Sequence, residues 1–286
     1  VAMPTQLLVT GSHGQLGRAI LQAAAARGFA ARGRDIDTLD ITDEAAVMGW
    51  IGTSRPVAVV NCAAYTAVDD CEDHEDEALA VNATAVGHLA AACNAVGATL
   101  IQISTDYVFD GTGSRPYRED DPVAPASAYG RTKLAGEVAA RTAEKHLVIR
   151  TAWLYGHGGR HFVGAIRRQI EGGTKKLRVV ADQQGSPTFC DDLASATLDL
   201  LEAGATHTVH VANHGATTWH GFAVEIANRL GSDAEIQPVT TDEFPRPAPR
   251  PAYSVLDTAR LRALIGRSTP TWQDALARYL EDSCAF

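Results

Sequence analysis

Short apolar runs at QLLVT (6–10), VAVVN (57–61), ATLIQIS (98–104) and HLVIR (146–150) read as buried strands. FAARGRD (29–35) supplies a further, more polar strand. Helical stretches fill the gaps: AILQAAAARG (19–28) closing at Gly28, LDITDEAAVMGWIG (39–52) with a capped start, and EALAVNATAVGHLAAACNAVG (77–97) closing at Gly97. Beyond residue 150 the pattern predicts helices over 161–173, 190–203, 217–231 and 269–282, with Thr217 or Thr218 capping the third. Strand-like runs lie at 177–189 and 206–213, and a Pro- and Arg-rich stretch at 245–257. Strands alternating with helices predict an α/β fold, a doubly wound parallel (Rossmann) sheet. Residues 1–150 form the expected dinucleotide-binding domain. Residues 151–286 form a smaller C-terminal substrate-binding lobe, some elements of which can return to the main sheet.

Composition narrows the class. A chain of 286 residues, 45% hydrophobic and 21% charged, suits an ordinary globular core. A net charge of −9 argues against a general binder of nucleic acid or of anionic membranes. Five cysteines (Cys62, Cys71, Cys93, Cys190, Cys284) are odd in number and lack metal-ligand spacing, so reduced thiols in a cytoplasmic protein are expected. No apolar run of membrane-spanning length and no signal peptide is expected, and Val1 and Ala2 ahead of Met3 read as an expression remnant.

Candidate chemistry follows the strand ends. GSHGQLG directly after the first strand spaces Gly11, Gly14 and Gly17 as G-x-x-G-x-x-G. A tight turn that opens a helix suits a dinucleotide pyrophosphate. The second strand ends in Arg34 and Asp35, an arginine suited to the 2′-phosphate of NADP and an acid suited to the ribose of NAD. With both present the expectation leans to NADPH, with NADH as the alternative. Ala63 and Ala64 after the third strand are small enough for close cofactor approach, and the acids that follow, up to Glu77, read as a solvated face. Thr105 ends the fourth strand, where the crevice of an open sheet lies. Tyr129 and Lys133 stand four apart in SAYGRTKLAGE, on one face of a helix. A cation beside a phenol lowers its pKa and fits it for proton transfer. Trp153 and Tyr155 leave the next strand; Arg246 and Arg250 belong either to a rigid linker or to a lid over phosphate oxygens.

GSHGQLG, NCAAYTAVD, ISTDYVFDG and YGRTK together resemble the extended short-chain dehydrogenase/reductase family. Within it, LDITD, STDYVFDGTG, AYGRTKLAGE, RTAWLYG and DQQGSPT resemble the dTDP-4-dehydrorhamnose reductase family over nearly the whole chain. The resemblance implies a cytoplasmic NAD(P)H-dependent enzyme of dTDP-rhamnose biosynthesis that reduces the C4 ketone of dTDP-4-dehydro-β-L-rhamnose. It implies Gly14, Gln15 and Leu16 at the pyrophosphate, Asp40 and Ile41 at the adenine, and Ala64, Tyr65 and Thr66 along the cofactor. It further implies Tyr129 as the acid, Lys133 on the ribose, Thr105 and Asp106 on the sugar, and Trp153 packed on the deoxysugar. Three positions depart from the pattern. Ala19 stands where some relatives carry a glutamate that helps hold a dimer-bridging magnesium, so no such metal site is expected and the oligomeric state stays open. His161-Phe162 replaces Asn-Phe, and Arg34 replaces an acid. The alternatives are another nucleotide-sugar epimerase or dehydratase, and a non-catalytic regulatory subunit of methionine adenosyltransferase.

Overall fold

A computed structural model describes residues 6–282, so Val1, Ala2 and Cys284 lie outside the described residues. Six strands form one parallel sheet: β1 (Gln6–Thr10), β2 (Ala30–Arg34), β3 (Ala58–Asn61), β4 (Thr99–Thr105), β5 (His146–Thr151) and β6 (His207–His210). Their order is β2-β1-β3-β4-β5-β6. The chain leaves β1 in one direction for β2 and returns to its other side for β3. That reversal opens a crevice at the carboxyl ends of β1 and β3.

Side chains alternate across the sheet, as the period of two requires. Leu7, Val9, Val60, Ile101 and Ile149 face α1 (Gln15–Ala26) and α6 (Cys190–Glu202). Leu8, Val59, Leu100 and Val148 face α2 (Glu44–Ser54), α3 (Glu75–Val96) and α4 (Ala128–Ala140). The doubly wound sheet is therefore present, and β6 and α6 bring the second half of the chain back to it.

A separate core belongs to the C-terminal half. Val163 and Ile166 of α5 (Phe162–Glu171), Phe222 and Ile226 of α7 (Trp219–Arg229), and Leu276 of α9 (Trp272–Asp282) close around Tyr155 and Phe189. Thr218 caps α7, accepting from the Gly221 amide at 3.0 Å. Two elements have no counterpart in the sequence reading. Glu235–Val239 pairs in parallel with Lys176–Val180, and α8 (Ala259–Ile265) packs on α6. The first carries Pro238, which a two-stranded edge tolerates but which hides a strand from pattern reading.

The α3 run corrects another expectation. Glu75–Val96 is, by length and composition, long and apolar enough to cross a membrane. Here it lies along the sheet, with Val86, Leu89, Ala90 and Cys93 in the core. Its middle is not α-helical but π-helical, over Ala80–Thr84.

Candidate functional site

The crevice is a cleft of about 700 Å³. Sixteen of the expected site residues line it: Gly11, Gly14, Gln15, Leu16, Gly17, Asp40, Ile41, Ala63, Ala64, Tyr65, Thr66, Thr105, Asp106, Tyr129, Lys133 and Trp153. Arg34 and Arg250 do not.

At the β1 end, Gly11 has φ +62°, and a Cβ on it would come within 2.6 Å of the Ala63 amide nitrogen. The loops after β1 and β3 can touch only because that Cβ is missing. A Cβ on Gly17 would drive into the Gly11 carbonyl, so the first turn of α1 also needs glycine to sit on the loop. Gly14 caps α1 without a side-chain acceptor, and the buried Gln15 Oε1 beside it has no partner. Helix-start amides and a cradle that side chains would fill fit a dinucleotide pyrophosphate.

At the other end stand β4 and α4. Ser127 caps α4 by accepting from the Gly130 amide at 3.1 Å, and Glu72 accepts from the Ala128 amide at 2.8 Å. Arg131 donates twice to Glu75, at 2.8 and 2.7 Å. The acids after β3, expected as a solvated face, thus fasten the helix that carries Tyr129 and Lys133. Lys133 is 4% exposed and donates to the Ile103 carbonyl at 2.7 Å. Burial brings its ammonium down to about 8. Thr105 donates to Asp106 at 3.0 Å and accepts from the Tyr107 amide at 3.2 Å. Burial pushes the Asp106 carboxyl up to about 6, and its Oδ2 has no partner.

Tyr129 packs edge-on to Tyr107, ring centres 5.5 Å apart. Its pKa runs against the sequence expectation. Burial first, then the Asp106 carboxyl, push the phenol upward, with the Thr105 hydroxyl opposing. The Lys133 ammonium is engaged by Ile103 and does not lower it. A phenol held up is fully protonated near neutrality, the state a proton donor needs. Cys62, also in the cleft, is pushed up to about 12 by burial and is no thiolate nucleophile.

Two expected contacts sit elsewhere. Arg34 turns away from the cleft, donating to the Thr38 carbonyl at 2.9 Å with its guanidinium 5.5 Å from the Trp50 ring centre. Arg250 pairs with Asp69 at 3.0 Å in a neighbouring cavity of about 660 Å³, with Arg246 and Pro249 of the Pro/Arg stretch also in its wall. Tyr107 and Trp219 line both cavities. Trp153 reaches the cleft, but its face is covered: it stacks on Trp219 at 3.4 Å and 4°. His161 caps α5, its Nδ1 accepting from the Gly164 amide at 3.2 Å, and its Nε2 meets the Tyr279 hydroxyl at 3.2 Å. Ala19 is buried against the core, and among the described residues no group of three or more His, Cys, Asp or Glu side chains is placed to hold a metal ion.

Asn82 is the residue the sequence reading missed. It sits in the π-helical turn of α3 and accepts from the Tyr65 amide at 2.8 Å. Its amide donates to the Tyr65 carbonyl at 3.1 Å and to Thr132 at 3.0 Å. One side chain therefore ties the loop after β3 to the helix of Tyr129. Gly136 allows this approach, because a Cβ there would strike the Asn82 carbonyl. An extra residue in a helical turn is a common device near functional sites, and only VNAT in an otherwise apolar helix hints at it.

A doubly wound sheet with a glycine-loop crevice at its switch point and Tyr129, Lys133 and Thr105 across it defines the nucleotide-dependent reductase class, the extended short-chain dehydrogenase/reductases. Within that class the chain belongs to the RmlD substrate binding domain family, which matches residues 5–284. It is 45% identical to dTDP-4-dehydrorhamnose reductase of Streptomyces griseus, over 97% of this chain and 93% of that one. It is 43% identical to a probable dTDP-4,6-dihydroxy-2-methyloxan-3-one 4-ketoreductase of Streptomyces antibioticus, over 97% and 95%. The structure superposes with TM-score 0.95 on dTDP-4-dehydrorhamnose reductase of Bacillus anthracis in complex with NADP, at 35% identity, covering 98% of this chain and 100% of that one.

Proposed function

We propose that this chain reduces the C4 ketone of dTDP-4-dehydro-β-L-rhamnose to dTDP-β-L-rhamnose, using NADPH or NADH bound along the crevice. A reduced nicotinamide supplies the hydride. Tyr129 gives its phenolic proton to the C4 oxygen as negative charge builds there, and Thr105 hydrogen-bonds the same oxygen. Lys133, four residues on along α4, meets the nicotinamide ribose and pins α4 to β4 through the Ile103 carbonyl. Gly14, Gln15 and Leu16 hold the pyrophosphate on the helix start, and Asp40 and Ile41 border the adenine. The nucleotide of the substrate takes the second cavity, where Arg246 and Arg250 meet its phosphates. In this scheme residues 1–150 bind the cofactor and residues 151–286 the dTDP-sugar.

The observation that carries the reading is the adjacency of the two cavities. Tyr129 and Thr105 open on the cleft that holds the glycine loop, and Tyr107 and Trp219 wall both that cleft and the arginine-lined cavity. The S. antibioticus relative supports a second reading, reduction of a different dTDP-4-ketosugar. A dehydratase role is disfavoured, because Asp106 is followed by Tyr107 and not by a glutamate. Purified protein offered dTDP-4-dehydrorhamnose with each reduced dinucleotide tests this directly. Loss of reduced-nicotinamide absorbance that depends on the sugar is expected. Tight co-purification of oxidised NAD without net reduction would favour an epimerase, and co-purification with a synthetase without turnover would favour a regulatory subunit.

A further inference from the structure

We infer that Arg160, from the C-terminal lobe, binds the dinucleotide pyrophosphate from across the cleft. The inference rests on the reading that a nicotinamide dinucleotide lies in the crevice. It adds a full positive charge to the helix-start amides of α1. That charge comes from the half of the chain otherwise assigned to the sugar.

The segment that carries Arg160 is laid directly on the first turn of α1. A Cβ on Gly159 would come within 3.1 Å of Gln15 Oε1, and one on Gly158 within 3.3 Å of the Arg18 side chain. Gly158 also holds φ +83°, a backbone that glycine adopts without strain. A Cβ on Gly156 would meet Cys190 Sγ at 2.7 Å and lie 3.7 Å from the Gln15 Cβ. The glycines of this segment therefore pass close over Gln15 and Arg18, with no side chains of their own to hold the backbone off. Arg160 is the next residue, and it lines the cleft together with Gly14, Gln15 and Leu16.

Charge gives this place a use for a cation. A pyrophosphate brings two negative charges, whereas a helix start supplies roughly half a positive one. Among the described residues that line the cleft, the lysine and arginine side chains are Lys133 and Arg160. Lys133 is held on the Ile103 carbonyl, at the end where β4 and α4 meet. Arg18 lies under Gly158, but it donates to the His13 carbonyl at 2.8 Å and does not line the cleft. Arg34 is bound to the Thr38 carbonyl. Arg246 and Arg250 face Asp69 in the neighbouring cavity, at 3.7 and 3.0 Å. Arg160 makes no hydrogen bond, ion pair or ring contact with any described residue. Its guanidinium is thus free to take a ligand, and five donors in a planar fork suit phosphate oxygens.

The test is calorimetric binding of NADH, NADPH and ADP-ribose to the full chain and to its Arg160→Gln variant. ADP-ribose keeps the pyrophosphate and lacks the nicotinamide. All three are expected to bind about tenfold more weakly to the variant, as for loss of one charge-assisted contact. The difference should shrink as salt is added. Arg160→Lys keeps the charge and is expected to stay within about threefold of the unaltered chain. Binding of dTDP, which probes the second cavity, should be the same in all three proteins. Without ligand the thermal midpoint should not move, because the side chain touches nothing, while the rise produced by NADH should be smaller in Arg160→Gln. Unchanged dinucleotide affinity, a loss that spares ADP-ribose, or a loss confined to dTDP would overturn the assignment. So would a midpoint that falls without ligand, since Arg160 would then serve the fold. Binding of dTDP but of neither dinucleotide to the unaltered chain would overturn the cofactor reading itself, and the role of Arg160 with it.

Discussion

The ammonium of Lys133 donates to the main-chain carbonyl of Ile103 at 2.7 Å, so the helix of the catalytic pair is pinned to the strand that carries Thr105. Strand β4 delivers the hydroxyl and α4 the phenol, and the lysine closes the distance between them. The same bond leaves the phenol to its buried surroundings, which keep its proton on.

Tyr129→Phe removes that proton and leaves the ring on Tyr107. General-acid catalysis is worth roughly 10²–10⁴ in rate, and kcat is expected to fall by at least about a hundredfold. Dinucleotide affinity and thermal midpoint should stay near those of the unaltered protein. Single-turnover kinetics beside a binding titration separates the two, and near-normal turnover would end the proton-donor assignment.

Lys133 gives a pH signature in two opposite directions. Its ammonium is ordinary in the unfolded chain and comes down to about 8 in the folded one. Between about pH 8 and 10.5 the unfolded state binds more protons, so this group's contribution to stability improves as pH rises across that window. Below it the folded state carries the full cost of a buried charge, on the order of 3 kcal/mol. Activity should run the other way, declining above about pH 8 as the ammonium that pins α4 to the Ile103 carbonyl and meets the ribose is lost. Urea unfolding and kcat across that range check both slopes. Lys133→Met should abolish the stability slope and most of the turnover.

Much of this was legible in the chain. The buried strands of the main sheet announce themselves by apolar runs and most long helices by a closing glycine or capping side chain, and the chemistry sits where strand ends put it. What stayed hidden depends on contacts between distant segments. The Tyr129–Lys133 spacing predicts proximity but not that Ile103 would claim the ammonium. Arg34 and Asp35 are neighbours in sequence, and only the His13 amide decides which of them faces the cleft. Trp219 looks like any aromatic at a helix start until Trp153 is stacked against it. Asn82 matters through a π-turn that no periodicity encodes.

Asn82→Ala should therefore cost more than one polar side chain on a surface. It strands the Tyr65 amide and carbonyl and unties Thr132. Leaving buried partners unmade costs about 1–3 kcal/mol, and a loss at the upper end is expected in chemical denaturation. Because Tyr65 and Thr66 line the cleft, dinucleotide affinity should weaken as well. A stability loss with unchanged dinucleotide affinity would mean that Asn82 serves the fold alone.

Trp219 offers the sharpest separation of the two cavities. Its indole stacks on Trp153, tilts against Phe162 at 4.6 Å and donates to Gln183 at 3.1 Å, so it is a fixed wall shared by both. Trp153 holds a left-handed backbone at φ +47°, which costs on the order of 1–3 kcal/mol and persists because its ring is clamped. Trp219→Ala removes the clamp and merges sugar and nucleotide spaces. KM for the dTDP-sugar is expected to rise by about tenfold or more, as for loss of a buried aromatic contact. Dinucleotide affinity should be unchanged, since the stack packs on the C-terminal core and the glycine loop on the main sheet. The coupled indole band in circular dichroism should vanish in this variant, and in the unaltered protein it should shift on adding the dTDP-sugar. A variant with normal KM, together with a band indifferent to the sugar, would mean that substrate does not pass this wall.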